Sequence, residues 1–495
     1  MSSISLRVLL LLLVGLAAAA HGQESFDIVL ENGRVMDPES GLDATRNVGI
    51  RGDRIAAISS GGLAGGTVVD VGGRVIAPGF IDLHAHGQSF RSSEFQVHDG
   101  VTTALELESG VVHVAEWLKV REAKRLVNFG ASVSHGGSRP FAMPELEDAI
   151  AKRRALVESG GRAGPNDFEE LRRAGYKELS PGQIDEVADF LGVGLREGAL
   201  GIGMAHGYYP GATNEEIFRV FQFAASRQAP IFTHVRTMGI EPMQEVIANA
   251  ASTGAPLHIV HVNSMSLWDI DVVLDLIGGA QRQGLDITTE AYPYTAASTN
   301  VASTIFDAGW RERLKISYED LQLQETGERL NATTFDKYRT EGAVVIMHMM
   351  KPEWIERAMR SPFVIVASDG MPYAPGAHPR SAGTFARVLG RYVREQQVMS
   401  LMEALGKMTL MPAKRLQGIA PQMRKKGRLQ VGTDADITVF DPDGIIDTAT
   451  FEDDLSFSNG VEHVLVNGQF VVRDGKTVEG VRPGRAVLGR YQQAN

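Results

Sequence analysis

Residues 230–263 read PIFTHVRTMGIEPMQEVIANAASTGAPLHIVHVN and place an amphipathic segment between two short apolar runs. The first run is Pro230–Arg236 and the second is Leu257–Asn263, and both have the length and composition of buried strands. Between them, Glu241–Thr253 has the apolar spacing of a helix that packs one face on a sheet. This strand–helix–strand order predicts a parallel pair, because parallel neighbours need a crossover connection.

The same alternation continues through the middle of the chain, with further helices expected, for example, at Asn214–Arg227 and Leu267–Gln283. Eight strand candidates in this rhythm predict the α/β class and a (β/α)8 TIM barrel. A ninth strand-like run, Ala343–Met349, follows a polar segment, Asp307–Tyr338, that we interpret as an insertion between the last two strands. The eight candidates are Val75–His86, Thr102–Glu108, Asn128–His135, Ala199–His206, Pro230–Arg236, Leu257–Asn263, Asp286–Tyr294 and Phe363–Asp369.

Both ends of the chain have a different pattern, in which short alternating strands are separated by Asn-Gly, Gly-Asp and Gly-Gly turns. Such turns are typical of hairpins. We therefore expect one small β-sandwich domain built from both chain ends. The predicted organisation is a signal peptide at 1–22, sandwich segments at 23–77 and 424–480, a barrel domain at 78–423 with an insertion at about 300–342, and a tail at 481–495.

Composition limits the function classes. The 495-residue chain has a formal net charge of −11 and no lysine- or arginine-rich run, which argues against nucleic acid as a partner. Cysteine is absent, so neither disulfides nor thiolate metal ligands are available.

The N-terminus has the three-part pattern of a bacterial-type signal peptide, with one positive charge in Met1–Arg7, the apolar run Val8–Ala20 and a small-residue exit. The run is short of the ~20 residues a membrane-spanning helix needs, and we expect no stable membrane insertion. Secretion or a periplasmic location is expected; an uncleaved anchor is the alternative.

Four histidines are expected at the carboxyl ends of barrel strands, where TIM-barrel sites lie. His84 and His86 share one face of the first strand, while His234 and His261 end the fifth and sixth strands. Imidazoles at matching depth are suited to binding one metal centre. The alternatives are a solvated loop pair and packed structural histidines. His258 lies on the opposite face from His261 and is expected to be packed or solvated.

Two carboxylates complete the candidate set. Glu108 ends the second strand, and Glu106 is expected one layer deeper, where it could pair with a buried cation. Asp369 follows the apolar eighth strand, and a carboxylate there is costly unless it is solvated, paired or metal-bound; capping a helix or turn is its alternative role. With the four histidines these residues suit one or two Zn²⁺ ions or other divalent metals. Asp369 would then carry a proton from water to the leaving amine.

Several motifs together resemble the N-acyl-D-amino-acid deacylases (D-aminoacylases) of the amidohydrolase superfamily, over nearly the whole chain after residue 22. The resemblance implies a metal-dependent hydrolase that splits linear N-acyl-D-amino acids, small molecules, into a carboxylate and a D-amino acid. It also implies that Tyr292 and Arg380 bind the substrate carboxylate, a role suited to a planar guanidinium. The motifs are PGFIDLHAH at 78–86, GVTT at 100–103, SHGGSR at 134–139, YYPGATNEE at 208–216, THVR at 233–236, EAYPYTAAST at 290–299, and SDG with HPRSAGTFARVLG within 368–390.

The sequence departs from that family at two positions. A second-strand cysteine that ligates metal in the family is replaced here by the Glu106/Glu108 pair, and a carboxylate favours a two-metal site. A lysine that helps to bind the substrate carboxylate is replaced by Asn263, which has no charge. A dipeptidase, a cyclic-amide hydrolase or a deaminase on the same site therefore remains the alternative activity, and a non-catalytic binding protein is a third. His135 and Arg139 are expected either to line the pocket or to serve the structure.

Overall fold

The barrel is the central element of the computed structural model, which describes residues 25–158 and 169–491. Eight parallel strands are hydrogen-bonded in chain order. The barrel closes where Ala85 pairs with Gly370 and the Gly87 amide donates to the Gly370 carbonyl at 2.9 Å. The TIM-barrel prediction is therefore confirmed. The strands, numbered here first to eighth, are Phe80–Asp82, Val101–Val111, Asn128–Ser134, Ile202–Met204, Ile231–Thr233, Leu257–Ile259, Ile287–Ala291 and Val364–Val366.

The first predicted strand, Val75–His86, is wrong as a single element. It divides at Gly79 into Val75–Pro78, which joins the sheet built from the chain ends, and Phe80–Asp82, which joins the barrel. A Cβ on Gly79 would lie 2.2 Å from side-chain atoms of Thr102, so glycine permits this close approach. The chain thus passes between the two sheets at a residue without a side chain.

Helices follow the barrel strands and pack around them, as the amphipathic segments predict. The helix at Asn214–Arg227 begins where the Thr213 hydroxyl accepts a hydrogen bond from the Glu216 amide. The segment predicted from Leu267 begins three residues later as a regular helix, after a short 3₁₀ turn. The α-helices are Phe90–His98, Val114–Lys119, His135–Ser138, Glu147–Glu158, Glu169–Arg173, Pro181–Arg196, Asn214–Arg227, Ile240–Thr253, Val262–Ser266, Ile270–Arg282, Trp310–Leu314, Ala332–Glu341, Pro352–Arg360, Arg380–Arg387, Leu401–Leu405 and Met411–Leu416.

Strands from the two chain ends form one nine-stranded sheet around its own apolar core. Val75–Pro78 connects the ends, because it pairs in parallel with the first strand of the chain and antiparallel with Ile437–Phe440. This confirms a β-domain assembled from both termini. Its strands are Ser25–Asp37, Leu42–Arg51, Arg54–Ser59, Ala64–Asp70, Val75–Pro78, Ile437–Phe440, Val461–Val466, Gln469–Arg473 and Lys476–Thr477.

The segment between the seventh and eighth barrel strands carries a separate antiparallel sheet. Its strands are Ala297–Asn300, Leu321–Leu323 and Val344–Met347, and they pack on an aromatic cluster that includes Trp310 and Phe335. The ninth strand-like run of the sequence therefore belongs to this small sheet rather than to the barrel.

Apolar side chains fill the barrel beneath its carboxyl end. Ile81, Leu105, Phe232 and Ile365 belong to one buried cluster, and they come from the first, second, fifth and eighth strands. Because the first and fifth strands face each other across the barrel, these side chains meet in its interior. Val487 joins the same cluster, and its amide donates to the Phe129 carbonyl at 2.7 Å.

The chain segment that carries Val487 therefore lies against the amino end of the third strand. Within residues 25–158 and 169–491, none of the helices combines the length and the apolar character needed to cross a bilayer. The predicted signal peptide lies outside the described residues.

Candidate metal centre

The structure brings the six predicted ligands together at the carboxyl end of the barrel. Five of them follow a barrel strand within four residues, and Glu108 lies in the second strand three residues before its end, so the parallel strands place them at one edge. All six are at least nine-tenths buried except His86, which is slightly more open. The residues are His84, His86, Glu108, His234, His261 and Asp369.

One set of donor atoms, called here the first donor group, has nearly tetrahedral spacing. It consists of His84 Nε2, His86 Nε2, Glu108 Oε2 and Asp369 Oδ1. The His84 Nε2 atom lies 3.1 Å from His86 Nε2, 3.3 Å from Glu108 Oε2 and 3.4 Å from Asp369 Oδ1. His86 Nε2 lies 3.2 Å and 3.5 Å from the same two oxygens. Ligands about 2.0–2.1 Å from a tetrahedral ion are about 3.3–3.4 Å apart, so these four atoms fit around one divalent ion.

A second set of donor atoms, the second donor group, adjoins the first and consists of His234 Nδ1, His261 Nε2 and Glu108 Oε1. His234 Nδ1 and His261 Nε2 lie 3.1 Å apart, and they lie 2.9 Å and 3.0 Å from Glu108 Oε1. Three protein ligands leave one tetrahedral position open, as in catalytic zinc sites. Glu108 therefore offers one oxygen to each group, which is the arrangement of a carboxylate that bridges two ions. The nitrogen and oxygen donors fit zinc and other divalent transition ions.

Two ligands have uncommon backbone conformations. His261 has φ 31° and Asp369 has φ 50°, both in the left-handed region that non-glycine residues rarely adopt. Such strain persists where the surrounding structure holds a residue for a purpose. Here it turns both side chains toward the donor groups as the sixth and eighth strands end.

Carboxylates also fix the other ring nitrogens of the first histidine pair. His86 Nδ1 lies 2.8 Å from Glu106 Oε2, and His84 Nδ1 lies 2.6 Å from Glu290 Oε1. The structure therefore gives Glu106 the imidazole of His86 as its hydrogen-bonded partner, and the guanidinium of Arg121 also interacts electrostatically with this carboxylate. An imidazole that donates from Nδ1 keeps the Nε2 lone pair free for a metal.

Glu290 is the functional residue that the sequence reasoning missed. Its second oxygen, Oε2, lies 2.9 Å from His258 Nε2, so it links His258 to His84. Burial alone would raise the pKa of Glu290, but the two imidazoles outweigh burial and lower the pKa to about 2. The available signal was a carboxylate in a buried strand, which requires a partner.

Asp82 holds the backbone on both sides of the site. Its Oδ1 accepts hydrogen bonds from the amides of His84 at 3.1 Å and Ser368 at 3.0 Å, and its Oδ2 accepts from the Ser368 hydroxyl at 2.5 Å. Burial raises the pKa of Asp82 to about 6, although these hydrogen bonds oppose the shift. These hydrogen bonds fix the ends of the first and eighth strands, directly before the ligands His84 and Asp369.

A buried cation contacts the predicted proton carrier. The Arg380 side chain is 1% exposed, and its Nη1 lies 2.9 Å from Asp369 Oδ2. Burial alone would raise the pKa of Asp369, but Arg380 and His84 outweigh burial and hold it well below the usual range. The guanidinium also lies over the Tyr292 ring, 4.7 Å from its centre. The structure thus brings Arg380 and Tyr292 together beside the donor groups.

The remaining residues considered from the sequence lie around this centre. Asn263 is fully buried, and its amide group donates to the Tyr292 carbonyl at 3.2 Å. His135 and Arg139 both bind Glu216, at 2.9 Å and 2.8 Å. That cluster does not contribute donor atoms to either group, which favours the structural role for both residues.

A closed parallel barrel with adjoining histidine and carboxylate groups at its carboxyl end defines the class of TIM-barrel metal-dependent hydrolases. The family model described as "Amidohydrolase family" matches residues 167–472. The chain is also 31% identical to the N-acyl-D-glutamate deacylase of Alcaligenes xylosoxydans xylosoxydans, covering 94% of this chain and 96% of that protein. The chain therefore belongs to the amidohydrolase family.

Further relatives and solved structures with similar names match nearly the whole chain. A D-aminoacylase from Alcaligenes xylosoxydans xylosoxydans is 31% identical and covers 94% of this chain and 98% of that protein. Among solved structures, the N-acyl-D-glutamate deacylase from Bordetella bronchiseptica, complexed with zinc and a phosphonate inhibitor, matches with a TM-score of 0.79 and 26% identity. That match covers 94% of this chain and all of the other.

Proposed function

We propose that the protein hydrolyses the amide bond of N-acyl-D-amino acids and releases a carboxylate and a free D-amino acid. The observation that carries this proposal is the buried contact between Arg380 and Asp369, 2.9 Å apart beside the metal-binding groups. It places a guanidinium suited to a substrate carboxylate next to the group that handles the proton. Relatives named as deacylases of N-acyl-D-glutamate and N-acyl-D-aspartate, and as a D-aminoacylase, support the substrate class.

The six ligands are proposed to hold one or two Zn²⁺ ions, with Glu108 shared between the positions. When bound, the ions lower the pKa of water and polarise a carbonyl oxygen. Asp369 presents Oδ1 to the first group, so this atom is placed to accept the proton of the attacking water. The same atom then donates the proton to the departing amine nitrogen, which leaves as a neutral amine.

Orientation of the substrate is assigned to Arg380 and Tyr292. Arg380 has further N–H groups beyond the one that faces Asp369, and these suit a carboxylate. Among the described residues, none meets hydrogen-bond geometry with the buried Tyr292 hydroxyl, so a ligand that supplies an acceptor would satisfy it. Binding the carboxylate at this place brings the neighbouring amide to the donor groups.

One observation favours a second candidate function. Asn263 is neutral and already donates to the Tyr292 carbonyl, so it adds no charge for a carboxylate. A cyclic amide that carries no carboxylate would not need that charge. A cyclic-amide hydrolase is therefore the alternative, with a dipeptidase and a deaminase behind it.

A substrate panel tests the proposal. The purified protein with zinc is assayed on N-acetyl and N-formyl derivatives of D- and L-amino acids, on cyclic amides, and for ammonia release. We expect free D-amino acid from the D-derivatives and almost none from Asp369→Asn. Ring opening or ammonia release without deacylation would refute the proposed activity and support the alternatives.

We also propose that the protein is exported. The charge and apolar pattern of residues 1–22 supports this location. Fractionation of an expressing bacterium, followed by N-terminal sequencing of the protein, is expected to find it outside the cytoplasm and without its first 22 residues or so. Recovery of the full-length chain in the cytoplasm would contradict this.

A further inference from the structure

Three buried residues from different barrel strands form a continuous chain behind the first donor group. Glu290 on the seventh strand lies 2.6 Å from His84 Nδ1 with one oxygen and 2.9 Å from His258 Nε2 with the other. His258 Nδ1 then lies 2.8 Å from the hydroxyl of Thr288. His84, His258 and Glu290 are each at most 1% exposed, so water does not substitute for these contacts.

The contacts determine where the protons are. An ionised carboxylate only accepts hydrogen bonds, so both imidazoles donate to Glu290. His84 therefore has its proton on Nδ1, and the lone pair of Nε2 faces the first donor group. Burial lowers the pKa of His258 and keeps it neutral, so its Nδ1 accepts from Thr288.

The second donor group has no equivalent support. Within the described part of the chain, His234 Nε2 and His261 Nδ1 are buried and lack a hydrogen-bond partner. His84 and His86, by contrast, both contact a carboxylate through Nδ1. Hydrogen bonds therefore fix the tautomers of the histidines in the first donor group but not those in the second.

We propose that His258 and Glu290 are positioning residues that hold His84 in its metal-binding tautomer and thereby strengthen metal binding at the first group alone. This inference rests on the proposed function, because it assumes that the centre binds metal. Neither residue offers an atom to the two donor groups. His258 acts through Glu290, because its N–H keeps the second oxygen of that buried carboxylate paired.

The substitution Glu290→Gln exposes this role. An amide has one acceptor oxygen and one donor nitrogen, so it can accept from only one of the two imidazoles. Its NH2 group faces the other ring and favours the tautomer with the proton on the far nitrogen. For His84 that nitrogen is Nε2, the ligand atom. Loss of such an outer partner typically weakens metal binding about 10- to 100-fold.

The test measures zinc affinity at each group separately. In the full-length protein, His234→Asn disables the second group and His86→Asn disables the first, and Glu290→Gln is added to each background. Metal-stripped samples are titrated with zinc by calorimetry. Glu216→Gln is the matched control, because Glu216 is also a buried carboxylate bound to a histidine but does not contact the donor groups.

We expect Glu290→Gln to weaken zinc binding about 10- to 100-fold in the His234→Asn background and to have little effect in the His86→Asn background. Unchanged affinity in both, or equal weakening in both, would overturn the inference. Failure of the unsubstituted protein to bind zinc would instead refute the proposed function.

If Glu290→Gln does not fold, the comparison of His258→Gln with His258→Leu decides. Glutamine can still donate to Glu290 and should restore zinc affinity, whereas leucine cannot. Equal affinities for these two variants would also overturn the inference.

Discussion

Replacing Arg380 by methionine separates two tasks that the structure assigns to one guanidinium. The side chain contacts Asp369 at 2.9 Å, and its remaining N–H groups are proposed to bind the substrate carboxylate. The first contact is an ion pair, and charge-assisted contacts of this strength contribute about 1.5–3 kcal/mol each. Loss of both contacts should raise the barrier by about 3–6 kcal/mol, which lowers kcat/KM by roughly 10²- to 10⁴-fold.

The assay compares an N-acetyl-D-amino acid with its carboxamide analogue, in which the carboxylate is absent. On the carboxamide only the contact with Asp369 is lost, so Arg380→Met should lower kcat/KM by about 1.5–3 kcal/mol, or roughly 10- to 150-fold. Arg380→Lys keeps a charge and should recover part of both losses.

Metal content of each variant, measured by elemental analysis, controls for damage to the centre. An unchanged rate on the carboxamide would show that Arg380 does not act on Asp369. Equal losses on both substrates would show that Arg380 does not bind the carboxylate.

Three further predictions address the centre, the domain junction and pH. Glu108→Ala should reduce bound zinc from two ions to one or none by elemental analysis, because Glu108 gives an oxygen to each group; two retained ions would refute its bridging role. Lys426→Met should lower the unfolding free energy by about 3–5 kcal/mol in denaturant titrations, because the ammonium lies 2.6 Å from buried Asp436; an effect below about 1 kcal/mol would contradict this. Burial lowers the pKa of His98 to about 4, so the unfolded chain binds a proton that the folded protein does not between pH ~6.5 and ~4. The unfolding free energy should fall by up to about 3 kcal/mol over that range, and His98→Asn should remove this part of the pH dependence.

The barrel was predictable because apolar residues recur at a different spacing in its strands than in its helices. Segments such as Leu257–Asn263 and Glu241–Thr253 are assigned from period alone, and chain order then fixes their neighbours. The break at Gly79 was not predictable, because apolar residues lie on both sides of it and Thr102, whose side chain approaches Gly79, is distant in sequence. A single run of sequence does not indicate which of two sheets each half joins.

The ligand histidines were accessible to sequence reasoning because each lies near the carboxyl end of a strand candidate. Glu290 was not, because its role depends on His84 and His258 on other strands. Glu106 illustrates the same difficulty, since its alternation with Glu108 indicates a shared face but not an imidazole as its partner. Roles that depend on partners from several strands are visible only in the folded protein.

The pairing of Val75–Pro78 with Ile437–Phe440 has a consequence for biosynthesis. Ile76 meets Val439 across this ladder, and Val439 follows it by 363 positions in the chain. At about 5–20 residues per second, the ribosome needs roughly 20–70 s to supply the partner. During that interval one side of the early strand has unsatisfied amides and carbonyls, which are prone to associate with other nascent chains. Chaperones that shield this edge should therefore raise the yield of native protein.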